Sequence, residues 1–184
     1  MIDSKEAAEA LADIDDIVQR VKQSQLYELA SLAAVWWGIL VFAGNLVTWL
    51  WPIYAVYAWV AVDVVGVVGL VALRVLNPPH QPHGRGFDVK LLLVFALFFA
   101  FGYLCTNVVG HFGPRQLGTF WPLYFMLFYM LAGLWFGYAF VAIGLGISAL
   151  TLIGYFCIGE AFPLWMAFVN GGGLILGGLW MRRI

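Results

Sequence analysis

The chain has 184 residues, 64% of them hydrophobic and only 10% charged, with a formal net charge of -1. Soluble domains carry about a quarter charged residues, so this composition cannot clothe a water-exposed surface, and its apolar excess must face lipid. The near-neutral balance also excludes a nucleic-acid partner, which needs a basic face to neutralise phosphates.

The N-terminus is acidic and lacks a short apolar core, so no cleavable signal peptide is expected. Residues 3–26 read as an amphipathic helix, with Leu11, Ile14, Val18 and Val21 at spacings of three and four and Ile17 at the edge. Acidic residues outnumber basic ones through Glu28. A helix that lies on anionic lipid is usually basic on its polar face, so this stripe is expected to meet a protein partner or the same helix of a second copy. Packing on the chain's own cytoplasmic loops is the alternative.

A bilayer core about 30 Å thick needs roughly 20 apolar residues per helix. Spans are predicted near 29–51, 53–76, 90–110, 120–142, 144–160 and 163–181. No charged residue lies between Arg115 and Glu160. As one helix that stretch would reach about 66 Å, so it must fold back, and Ile143-Gly144-Leu145-Gly146 is the expected turn. The expected fold is an all-α membrane protein of six transmembrane helices in three hairpins. Residues 1–27 form a cytoplasmic amphipathic helix ahead of this 28–184 transmembrane domain.

Each even-numbered span opens on a shared signature: Trp51-Pro52-Ile53-Tyr54, Trp121-Pro122-Leu123-Tyr124 and Phe162-Pro163-Leu164-Trp165. Proline suits a first helical turn, where its missing N–H would have no partner. Asn45-Leu46-Val47-Thr48 in the first span echoes Asn107-Val108-Val109-Gly110 in the third. Three related hairpins would explain the pattern, and so would the common preference for proline and aromatic residues at a membrane interface. In the last span Gly173 and Gly177 form a small-xxx-small pair, and the fifth offers Gly144, Gly146, Ser148 and Gly154. Such faces let helices approach closely in lipid, joining spans five and six or joining two protomers.

Orientation follows from the basic residues. With the N-terminus inside, Lys5, Arg20, Lys22, Arg74, Arg85, Lys90, Arg182 and Arg183 lie on the cytoplasmic side and only Arg115 lies outside. Both termini are therefore expected in the cytoplasm. His80 and His83 stand three apart between residues 77 and 86, but the prolines there forbid the helix that would make them a metal pair. Cys105 and Cys157 lie in apolar runs and read as small buried hydrophobes.

Ionisable groups at bilayer depth are costly and mark functional sites by default. Asp63 stands near the middle of the second span, about 15 Å from its outer end. Asn45, Tyr103, Thr151 and Asn170 sit shallower, with Asn107, His111 and Glu160 nearer the outer surface. Facing inward together, these residues would form an outward-opening polar pocket floored by Asp63, able to exchange protons or hold a cation. Alternatively Asp63 is protonated, hydrogen-bonded and structural, and His111 and Glu160 are ordinary interfacial residues. There is no HExxH, no GxSxG, no phosphate loop and no second histidine at membrane depth for a haem. No enzymatic activity, cofactor or metal is expected.

The run from Ile17 to Tyr27, leading to Ala30-Ser31-Leu32 and Trp37-Gly38, together with the ending from Gly171 to Trp180, resembles a group of small bacterial six-span inner-membrane proteins. Members of that group stand beside winged-helix regulators. The resemblance implies a bacterial inner membrane and a regulatory association, and carries over no catalytic or binding residue. The leading expectation is a non-enzymatic sensory, regulatory or partner-binding protein. The alternatives are a small proton- or cation-coupled transporter or channel centred on Asp63, and an accessory subunit of a larger membrane complex.

Overall fold

The computed structural model describes the backbone of residues 4–76 and 89–183, and the side chains of Ile14, 27–73, 93, 94 and 96–183. Every regular element among them is helical: α1 (Ser4–Leu50), α2 (Ala55–Leu76), α3 (Val89–Tyr103), α4 (Pro114–Phe136), α5 (Tyr138–Cys157), α6 (Phe162–Met166) and α7 (Gly173–Met181). A short 3₁₀ turn, Pro52–Tyr54, leads into α2, and π-helical segments Leu104–Val109 and Ala167–Gly172 follow α3 and α6. Five stretches are long and apolar enough to cross a membrane: Tyr27–Leu50, Pro52–Leu73, Pro114–Phe136, Tyr138–Cys157 and Phe162–Met181. Ala96–Val109 is a shorter apolar helix. The chain is an all-helical membrane protein.

The first helix is a single rod of 47 residues. At about 1.5 Å per residue it reaches roughly 70 Å, more than twice a bilayer core. The segment expected as a separate cytoplasmic helix is thus continuous with the first span.

The fourth and fifth spans differ from expectation. The chain reverses at Gly137, not at residues 143–146, because Gly137 takes φ 129°, a region closed to side chains. Gly144 serves close packing instead: a Cβ there would stand 2.7 Å from Met130 Cγ and 3.0 Å from the Met126 carbonyl. Likewise α4 starts at Pro114, so Pro122 lies inside the helix and does not open it. The residue ahead of α4, Gly113, gives its N–H to Gln116 Oε1 at 2.8 Å. Pro114 therefore occupies the first-turn position that the signature assigned to Pro122.

The helices pack in a chain of neighbours. On one side α1 bears α2, on the other the sixth span, Phe162–Met181; α5 lies against that span and pairs with α4. Aromatic rings join α3 to α4, with Phe98 stacked on Tyr124 at 4.0 Å. The most extensive contacts, α4 with α5 and α1 with the sixth span, cross the boundaries of the three expected hairpins.

Glycine makes the contact of α1 with the sixth span close. A Cβ on Gly171 would stand 2.6 Å from Phe42 Cα, and one on Gly178 would stand 2.8 Å from the Ser31 carbonyl. The two glycines named from the sequence turn to another neighbour: Gly173 abuts Ile147 and Gly177 abuts Ile143, both on α5. They join spans five and six within one chain.

Two of the three signatures share a device. The Tyr124 hydroxyl donates to the Phe98 carbonyl at 3.1 Å, and Trp165 Nε1 donates to the Leu150 carbonyl at 3.0 Å. In each case a glycine stands one turn further on, Gly102 or Gly154, and the aromatic ring lies against it. The missing side chain opens a path to the carbonyl. Tyr54, the corresponding residue of the first signature, is exposed in the 3₁₀ turn. There Trp59 takes over, packing on Gly44 and donating to Thr48 Oγ1 at 3.2 Å.

Candidate functional site

The exposed carboxylate on α2 follows from how that helix meets α1. The contact runs through Val62, Gly66 and Gly69; the rings of Trp37 and Trp36 lie on the two glycines, and Trp36 Nε1 donates to the Gly66 carbonyl at 3.4 Å. Successive helical residues turn by about 100°, so Asp63 leaves the interface that Val62 enters. Asp63 is exposed, on the flank that also carries Val56, Val60 and Val67. It has no hydrogen-bond or ion-pair partner among the described residues. Its helix is the least enclosed of the candidate spans, 11% buried against 50% for the sixth.

The other polar residues do not gather around it. Asn45 is buried in α1 and donates Nδ2 to the Val41 carbonyl at 2.9 Å. Asn107 repeats that i to i−4 pattern towards the Tyr103 carbonyl and also donates to Thr106 Oγ1 at 2.9 Å, but it is exposed, as is Tyr103. Asn170 is buried in the π segment of the sixth span. Thr151 is wholly buried on α5, and its hydroxyl, like that of Ser148, has no partner among the described residues. Among the described residues the expected pocket floored by Asp63 is therefore not formed within one chain, because Asp63 is exposed, outside the contact of α2 with α1. A groove of about 340 Å³ between α5 and the sixth span contains none of these residues and is lined by apolar side chains and glycines.

The outer-surface candidates are placed in links between helices. His111 is exposed with φ 46°, a left-handed conformation that histidine tolerates better than most residues. Glu160 is exposed between α5 and α6. Between these links stands a residue whose part sequence reasoning missed. Arg115 donates to the carbonyls of Tyr155 (2.5 Å), Ile158 and Gly159 (3.1 Å), and its guanidinium lies over the rings of Tyr155 and Phe162. It thus satisfies carbonyls that the end of α5 leaves free. The available signal was its isolation, one cation beside a long uncharged stretch.

Cys157 is exposed, which corrects its reading as a buried hydrophobe; Cys105 is partly buried. Cys157 is the final residue of α5, at the helix end. Of the N-terminal stripe, Ile14 is exposed, while the side chains of Leu11, Val18 and Val21 lie outside the described residues, as do His80 and His83. Compared with known proteins, the chain matches no family model, no curated protein and no solved structure.

Proposed function

We propose that this chain is a non-enzymatic membrane protein that works by binding another membrane protein, with α2 as its docking helix. The observation that carries the reading is the exposure of Asp63 at mid-span on the least enclosed helix. Hydrocarbon offers a carboxyl group no hydrogen bond, and such groups in membranes face protein or water. A neighbouring transmembrane helix that supplies a donor at the depth of Asp63 meets that requirement, with Val56, Val60 and Val67 packing around it. This is the behaviour of a regulatory or accessory subunit.

The acidic N-terminal helix is a second contact, for a cytoplasmic partner or a second copy. Because α1 runs unbroken from Ser4 to Leu50, an event at its N-terminal end reaches the contacts of α1 with α2 and the sixth span through a stiff element. The basic-residue bias supports cytoplasmic termini, and the resemblance noted above supports a bacterial inner membrane. A transporter reading depends on the same surface, since Asp63 would line a path only between chains.

The test is the mass of the complex extracted directly from native membranes into lipid nanodiscs. Wild type is expected in a species larger than the 20.4 kDa chain, and Asp63→Leu as a single chain. A wild type that is itself a single chain, with Asp63→Leu indistinguishable from it, contradicts the proposal.

A further inference from the structure

The groove between α5 and the sixth span runs from Leu150 and Val169 at mid-membrane to Ala142 and Trp180 at the end of the bundle. At about 1.5 Å per residue its walls are roughly 12–17 Å long, which is the depth of one leaflet of a 30 Å core. Its sides are aliphatic. At Gly146 a Cβ would meet nothing within 4 Å, so the cleft stays open where neighbouring glycines are filled by side chains.

The mouth has a different chemistry. Trp180 lies there with Tyr138 against it, ring centroids 6.1 Å apart, an aromatic pair suited to the headgroup level. Arg182 and Arg183 follow immediately, both exposed, at the C-terminal end of α7. Neither α5 nor the sixth span carries an acidic residue. Glu28, one turn before Ser31 on α1, forms no ion pair with either arginine. An apolar slot of leaflet depth, with two arginines two and three residues beyond the tryptophan at its mouth and without an ion-pair partner among the described residues, matches a chain that bears a phosphate. Basic sites between membrane helices bind anionic headgroups in this way.

We infer that this groove holds one acyl chain of an anionic phospholipid, with its phosphate against Arg182 and Arg183. The inference goes beyond the docking role of α2 and uses none of its residues. A phosphate source without a chain would leave the slot empty, so the occupant is the lipid.

The experiment counts lipids retained by the full chain in native mass spectrometry after exchange into detergent with dioleoyl phosphatidylglycerol or dioleoyl phosphatidylcholine. Retention of the anionic lipid is expected to exceed that of the zwitterionic one by about thirtyfold, given roughly 1 kcal/mol for each of the two basic residues at the headgroup. Gly146→Leu, which fills the slot, and the double variant Arg182→Gln with Arg183→Gln should each abolish that excess while circular dichroism shows unchanged helix. Equal retention of the two lipids overturns the inference. So does undiminished phosphatidylglycerol binding by Gly146→Leu, which would mean attraction by charge alone, or displacement of the lipid by an equal concentration of glycerol phosphate. A wild type that retains neither lipid, as when a second copy covers the groove, overturns it as well.

Discussion

The Ser31 hydroxyl donates to the Gly178 carbonyl over 2.6 Å, joining residues 147 positions apart across the contact of α1 with the sixth span. Ser31 is fully buried, and the absence of a side chain at Gly178 is what lets α1 come within reach of that carbonyl. In lipid, helices associate through such close packing and interhelical hydrogen bonds, because burying apolar surface brings no gain over contact with acyl chains.

Gly178→Leu and Gly171→Leu are therefore expected to lower stability against SDS titration by about 1–3 kcal/mol, the usual cost of overpacking. Ser31→Ala should cost less, roughly 0.6 kcal/mol, the average for an interhelical hydrogen bond in a membrane. Gly146→Leu, which enters open space, should leave the midpoint unchanged. Equal loss in all four variants would show that the glycine contact has no special part.

Gly137 carries the reversal between α4 and α5 at φ 129°. Gly137→Ala should cost about 1 kcal/mol or more, because a Cβ is strained there whatever the space around it. The same SDS titration measures it. Tolerance of alanine at 137 would contradict the assignment of the turn to this residue.

Arg115 ties the start of α4 to the end of α5. Arg115→Ala removes hydrogen bonds to three carbonyls and two ring contacts at an exposed site, and should cost roughly 1 kcal/mol after solvent screening. Arg115→Lys should recover only part, since a compact ammonium lacks the planar fork that spans the three carbonyls and stacks on the two rings. Hydrogen–deuterium exchange should show the loss at residues 155–161, and uniform exchange along α5 would contradict it.

The helical class was legible because apolar runs of span length leave no other way to satisfy the backbone in lipid. The sites of reversal were harder to read. Glycine does two jobs in a membrane bundle, and composition alone does not separate the glycine that turns, Gly137, from those that pack, Gly144 and Gly173. Pro122 misled for a related reason, as Pro114 stood eight residues earlier with the same credentials. Small residues at helical spacing marked Gly173 and Gly177 as packing positions but left open whether they meet α5 or a second copy, which the contacts with Ile147 and Ile143 decide within this chain. The polar set was visible as residues, but depth along a span carries no rotational information. Whether Asp63 turned inward depended on which face of α2 the Trp36 and Trp37 rings would occupy, and that contact lies in the tertiary structure.

The exposed flank of Asp63 can be examined most directly by nitroxide side chains placed singly along α2 in native-like membranes, read for collision with dissolved oxygen. A partner helix on that flank predicts oxygen access that falls at Val56, Val60 and Val67 and stays high at Tyr57, Val64 and Val68, with the dip abolished by Asp63→Leu. Uniformly high access at all six positions, unchanged by that substitution, would mean that Asp63 faces lipid alone and that α2 is not a docking helix.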